Sequence, residues 1–174
     1  MVKSLGSLGL MAVNGANPDL SGIAVDSREV RRGFLFAAMA GVKFHGARFV
    51  RTALEQGAVA ILTDAEGAAL AAPEIAEFNA AVIVSDQPRE ALSRAAALWF
   101  GTQPKIMTAV TGTNGKTSVA SFARQIWQAL GHAAVNLGTT GVEGDWQTPL
   151  RHTTPDALTL HAALAGAATV PAEQ

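Results

Sequence analysis

The chain has 174 residues, 49% of them hydrophobic and 16% charged, which suffices for a real core and for one domain or one and a half. With 13 basic and 14 acidic residues the net charge is -1, so the basic field that nucleic-acid binding draws on is missing and no nucleic-acid partner is expected. There is no cysteine, which excludes disulfides, thiolate zinc sites and cysteine nucleophiles.

At the N-terminus, Met1 to Val13 has a lysine and some apolar residues, but Ser4, Gly6, Ser7 and Gly9 break up the apolar run. No small-residue cleavage site follows, so a cytoplasmic chain is expected. No stretch approaches the roughly 20 apolar residues that span a bilayer, and no membrane insertion is expected. From Gly22 the pattern reads strand, turn, strand: Ile23 to Val25, the polar group Asp26-Ser27-Arg28-Glu29, then Gly33 to Ala38. A glycine-bounded loop, Gly41 to Gly46, leads into a helix from about Ala47 to Gln56 that stops at Gly57. Ala58 to Leu62 is a further buried strand, an alanine-rich helical piece precedes Pro73, and Ala81 to Val84 is the next strand. Asp86 and Pro88 open a helix whose apolar face is Leu92, Ala95, Ala96 and Trp99, ended by Gly101 and Pro104. This alternation predicts a small α/β domain over residues 1–100, with Trp99 to Lys105 as a linker.

A second α/β unit, residues 105–174, opens on the most informative stretch of the chain. Lys105 to Val110 has the length and composition of a buried strand, and Val119, Phe122, Ala123, Ile126 and Leu130 recur at helical spacing until Gly131. Between them lies Thr111-Gly112-Thr113-Asn114-Gly115-Lys116-Thr117-Ser118. A strand that turns through glycines into a helix aims backbone N–H groups and the positive end of the helix dipole at one point, where a nucleotide phosphate belongs. Lys116 would reach the terminal phosphates, and the hydroxyl of Thr117 or Ser118 could ligate the accompanying Mg2+. Further on, Ala133 to Leu137 reads as a strand, and two hydroxyl-rich loops, Gly138 to Gly141 and His152 to Asp156, flank a short hairpin containing Trp146. A last helix runs from Asp156 to about Gly166.

The phosphate loop is compressed relative to the general P-loop, whose first glycine would fall at Val110. In this form it resembles the loop of the Mur ligases and the related folylpolyglutamate synthases. Asp26-Ser27-Arg28 and Gly33 to Ala38, together with Leu137-Gly138-Thr139-Thr140 and Thr153-Thr154-Pro155, resemble the Mur ligase family, and within it the diamino-acid-adding MurE branch. The likeness runs from about Ile23 to the chain end. It implies a small N-terminal UDP-binding α/β domain followed by the beginning of a P-loop α/β ATPase domain.

The resemblance further implies that Ser27 hydrogen-bonds the uridine diphosphate, that Val25 packs near the base, and that Val42, Lys43 and Phe44 contact the sugar nucleotide. Thr153 and Thr154 would meet the muramoyl sugar-peptide. Gly112, Thr113, Asn114, Gly115, Lys116, Thr117 and Ser118 would bind ATP, with Lys116 catalytic and Thr117 on the magnesium ion. Where the family's glycine loop runs on into Asp-Gly, this chain has His45-Gly46, and His45 on its own reads as a surface or capping residue.

The implied reaction joins a diamino acid, meso-diaminopimelate or L-lysine, to UDP-MurNAc-L-Ala-D-Glu through an acyl phosphate. The family's carbamylated lysine, further metal ligands and amino-acid-binding domain fall beyond the matching residues, so no ligase turnover is expected of these 174 residues alone. An unfinished parallel sheet would be prone to edge association. Another Mur-type ligase (MurF or a folylpolyglutamate synthase relative) and a stand-alone nucleotide-binding module are the alternatives.

Overall fold

The computed structural model describes residues 1–150 and 155–169. The chain divides into two compact units, Met1–Trp99 and Phe100–Gln174.

The first unit is built on a four-stranded parallel sheet, β3 (Gly22–Ala24), β4 (Phe34–Ala37), β5 (Ala60–Thr63) and β6 (Ala81–Val84), in sequential order. Its register pairs Ile23 with Leu35, Phe36 with Ile61, and Leu62 with Ile83. Ahead of it, β1 (Lys3–Ser4) and β2 (Asp19–Leu20) form a small antiparallel pair. Parallel strands need crossovers. Here these are α1 (Val50–Glu55) between β4 and β5, then α2 (Ala65–Leu70) and α3 (Ala72–Phe78) between β5 and β6, with α4 (Pro88–Phe100) following β6. Ala24, Phe36, Ala38 and Ile61 form one core with Val50, Ala53 and Leu54 of α1. The opposite parity, Leu35, Ala37, Ala60 and Leu62, is buried as well. A strand covered on both faces explains why β5 reads as an unbroken apolar run.

Two sequence expectations need adjustment here. Pro73 does follow the alanine-rich helix α2, but it also opens a second one, sitting in the first turn of α3, where its missing N–H has no partner to lose. The linker is shorter than expected, because α4 runs through Trp99 to Phe100 and ends at Gly101, which takes a left-handed φ of 78°.

The second unit contains α5 (Lys116–Ala129), an antiparallel hairpin of β7 (Val135–Gly138) and β8 (Gly141–Gly144), and α6 (Ala157–Ala167). Asp156 caps α6, its carboxylate accepting from the Thr159 N–H at 2.9 Å. Two expectations are corrected. Lys105 to Val110 forms no strand: Ile106 is 67% and Met107 57% exposed, and β7 pairs only with β8 among the described residues. An apolar segment becomes a buried strand only when a neighbouring strand takes up its N–H and C=O groups. The loop from Gly138 to Gly141 is itself a hairpin turn, with Thr139-Thr140 as its two residues, and the expected turn containing Trp146 follows it, closed by an antiparallel bridge between Val142 and Thr148. Trp146 lies within that second turn, its indole so close to Gly166 of α6 that a Cβ there would fall 2.5 Å from Cζ2.

The second correction concerns α5, whose apolar stripe is not its buried face. Val119, Phe122, Ile126 and Leu130 are more than half exposed. Polar residues turn toward the hairpin instead: Arg124 Nε donates to Asn136 Oδ1 at 2.7 Å, and Gln128 Nε2 donates to Asp145 Oδ2 at 2.9 Å. The same Asp145 oxygen accepts from the Ala134 N–H at 2.7 Å. These N–H groups hold the Asp145 carboxyl below the usual carboxylate range, Ala134 first and Gln128 second.

Candidate functional site

The candidate phosphate site of the second unit is the turn into α5. Gly112 and Gly115 adopt φ of 146° and 76°, values that L side chains rarely take, and this lets the chain turn sharply. Gly115 is the N-cap and supplies no side chain, so the first-turn N–H groups of a 14-residue helix receive no side-chain cap. Lys116 folds back so that its ammonium donates to the carbonyls of Gly112 and, at 3.4 Å, Thr113. Every residue from Thr111 to Thr117 is exposed. Uncapped N–H groups, a positive dipole end and a lysine held over the loop are donors that could hold phosphate oxygens. The Thr117 hydroxyl lies in the first turn of the same helix. Among the described residues no group of three or more His, Cys, Asp or Glu side chains surrounds a metal position. A magnesium ion here would take Thr117 as its protein ligand and fill its shell with phosphate oxygens and water, as this ion commonly does.

In the first unit the candidate residues leave neighbouring strands at the same end of the sheet. Val25 and Ser27 follow β3, and the loop with Val42, Lys43 and Phe44 follows β4. Ligands of open parallel sheets bind outside this carboxyl end. After β3, Asp26 caps a short 3-10 turn, Ser27–Glu29, by accepting from the Arg28 N–H at 2.9 Å. Its carboxyl is held below the usual range, first by the Arg28 guanidinium at 2.5 Å and then by that backbone N–H. Ser27 is 8% exposed and Val25 half-buried. Beside this turn is a cavity of about 410 Å3 whose lining includes Arg28, Glu29, Arg31 and Phe34 but neither Val25 nor Ser27.

After β4 the chain makes a small antiparallel loop closed by a bridge between Ala40 and His45. Its tip projects outward: Val42 is fully exposed, Lys43 is exposed, and Phe44 is 59% exposed with the Arg48 guanidinium 4.7 Å above its ring. His45 is a capping residue, its Nδ1 accepting from the Ala47 N–H at 3.0 Å. Its side chain is also nearly buried and its Nε2 lies 3.0 Å from Asp64 Oδ1. Asp64 in turn caps α2 by accepting from the Gly67 N–H at 2.8 Å. That bond, ahead of the one to His45, depresses the Asp64 carboxyl pKa against the opposing effect of burial.

Sequence reasoning missed Asp64 and Arg89, whose guanidinium reaches the Ala40 carbonyl at 2.6 Å. An aspartate between a strand and an alanine-rich run is a readable N-cap signal. Nothing local to Arg89 signals a contact 49 residues away. Thr153 and Thr154, expected to contact the sugar-peptide, lie outside the described residues.

A parallel sheet with an Asp-Ser-Arg turn at its carboxyl end and a compressed phosphate loop on a second unit thus occur in one chain. Its sequence matches two family models: Mur ligase family, catalytic domain, over residues 19–100, and Mur ligase middle domain, over residues 110–173. The chain belongs to the Mur ligase family.

Within that family it is similar to enzymes named UDP-N-acetylmuramoyl-L-alanyl-D-glutamate--2,6-diaminopimelate ligase. The one from Brucella melitensis biotype 1 is 49% identical over 148 residues, which takes in 84% of this chain and 29% of the relative. The one from Bradyrhizobium diazoefficiens is 48% identical over 144 residues, 82% of this chain and 28% of the relative. A solved structure of a ligase with the same name matches at a TM-score of 0.73 and 26% identity, covering 97% of this chain and 34% of that one. The chain thus spans less than a third of the length of the curated relatives it matches.

Proposed function

We propose that these residues supply the sugar-nucleotide-binding domain and the phosphate loop of a cytoplasmic, ATP-dependent ligase that adds 2,6-diaminopimelate to UDP-MurNAc-L-Ala-D-Glu. The observation that carries the reading is the uncapped, glycine-turned N-terminus of α5 with Lys116 over its loop. The names of the relatives supply the substrates and favour diaminopimelate over lysine. In this chemistry a D-glutamyl carboxylate oxygen attacks the γ-phosphorus of ATP and ADP leaves. The amine of diaminopimelate then attacks the acyl carbon and inorganic phosphate leaves. A carboxylate is a poor electrophile, so the phosphoryl group creates the leaving group.

The work assigned to this chain is positioning and charge neutralisation. The N–H groups of Gly112 to Lys116 and the Lys116 ammonium would hold the phosphates. Thr117 would hold the magnesium ion, which offsets charge on the phosphoryl oxygens. In the other unit Ser27 and Val25 would hold the uridine diphosphate, and Val42, Lys43 and Phe44 would flank it, with Thr153 and Thr154 on the muramoyl sugar-peptide. No helix of the described residues is long and apolar enough to cross a membrane.

The test is calorimetric titration with UDP-MurNAc-L-Ala-D-Glu, repeated with Ser27→Ala and with the corresponding UDP-tripeptide as competitor. Selective binding of the dipeptide form that Ser27→Ala weakens supports the proposal. Preference for the tripeptide would move the reading to the next ligase in the series. No binding by a folded chain would leave a nucleotide-binding module alone.

A further inference from the structure

We infer that His45, Asp64 and Arg89 are positioning residues that hold the 41–44 loop ready for the sugar nucleotide, an inference that rests on the substrate reading above. The loop stands on two feet, Ala40 and His45, bridged to each other. Each foot is tied to a different helix. The Ala40 carbonyl accepts from Arg89 of α4 at 2.6 Å, and His45 Nε2 lies 3.0 Å from Asp64 at the head of α2. Because Nδ1 of His45 accepts from the Ala47 N–H, its proton is on Nε2 and is donated to Asp64.

The feet are hydrogen-bonded to helices, and the tip is exposed. His45 keeps 7% of its side chain exposed, whereas Val42 is fully exposed and Phe44 59% exposed. Within the loop, the Gly41 N–H donates to the Phe44 carbonyl at 3.1 Å, and at its base the Gly46 N–H donates to the Met39 carbonyl at 2.8 Å. An exposed tip with no core of its own depends on such ties, together with the Arg48 guanidinium over Phe44, to keep one conformation. Ordering it before the ligand arrives removes an entropic penalty from binding. Two carboxylate oxygens of Asp64 face His45, and one of them also accepts from Gly67, so the tie shares its anchor with the α2 cap.

The experiment uses the whole chain. His45→Asn keeps an acceptor for the Ala47 N–H but is too short to reach Asp64, and Arg89→Met removes the donor to Ala40. Each is expected to speed amide exchange at Gly41 and Gly46 by about fivefold, the equivalent of one lost hydrogen bond, and to weaken UDP-MurNAc-L-Ala-D-Glu binding by a similar factor. Exchange at Ile61 and Leu62 in β5 should stay unchanged, which a general loss of stability would not allow. Asp64→Asn retains the oxygen that serves both Gly67 and His45, and should bind within about twofold of the parent, whereas Asp64→Ala should lose about fivefold. Unchanged loop exchange in both His45→Asn and Arg89→Met, or faster loop exchange with unchanged affinity, would overturn the inference alone. No binding by the parent chain would instead overturn the substrate reading on which it rests.

Discussion

Gly67→Ala pits helix propensity against packing, and the structure decides the sign. Gly67 is a buried residue in the first turn of α2, and alanine is favoured over glycine inside a helix by about 1 kcal/mol. A Cβ at this position would sit 2.0 Å from Thr63 Oγ1 and 2.4 Å from His45 Cε1, against ordinary contacts of about 3.5 to 4 Å. Neither neighbour is free to move. Thr63 is fully buried and its hydroxyl donates to the Ala38 carbonyl at 2.8 Å, while His45 is fixed between Ala47 and Asp64.

Overpacking of this kind costs about 1–3 kcal/mol, and each hydrogen bond displaced costs about 1 kcal/mol more. The net expectation is a loss of about 2 kcal/mol, which lowers the urea midpoint by about 1 M for a chain of this size. Urea titration followed by circular dichroism measures it. A midpoint equal to or above that of the parent would refute the close approach of α2 to His45 and Thr63.

Other expectations are more local. Lys116→Ala should weaken ADP binding by about 10- to 100-fold, the worth of a charge-assisted phosphate contact, with an unchanged circular dichroism spectrum because Lys116 is exposed; equal affinity would remove the phosphate role. The Asp64 carboxyl has its pKa lowered on folding, so its stabilising contribution is complete above the unfolded value of about 3.9 and is lost as pH falls through the lower folded value. Urea midpoints measured from neutral to acid pH should therefore drop below about pH 4, and less steeply in Asp64→Asn; identical slopes would deny the shift. The exposed stripe of α5 should make the chain associate as concentration rises, and Ile126→Glu should suppress this in sedimentation velocity; a parent that stays monomeric at every concentration would count against the stripe as a contact surface.

Much of the first unit can be read directly from the chain. Ala58 to Leu62 and Ala81 to Val84 are short apolar runs between turn residues, and such runs have little option but to pair in a covered sheet. The Asp26-Ser27-Arg28 turn and the two glycines before Lys116 are equally legible, because a capping carboxylate and left-handed glycines act within a few residues of themselves. Local chemistry also reveals His45 as a cap.

Tertiary structure alone decides what lies opposite these residues. The Arg89 bond to Ala40 and the approach of Asp64 to His45 join positions 49 and 19 residues apart, brought together only when the strands stack in order. Periodicity declares that Val119, Phe122, Ile126 and Leu130 share one face of α5, but burial depends on a partner surface. In this chain α5 meets the hairpin through Arg124 and Gln128 instead. The same reason governs Lys105 to Val110: amino-acid composition sets the capacity to form a strand, and only a neighbouring strand with unpaired N–H and C=O groups can realise it.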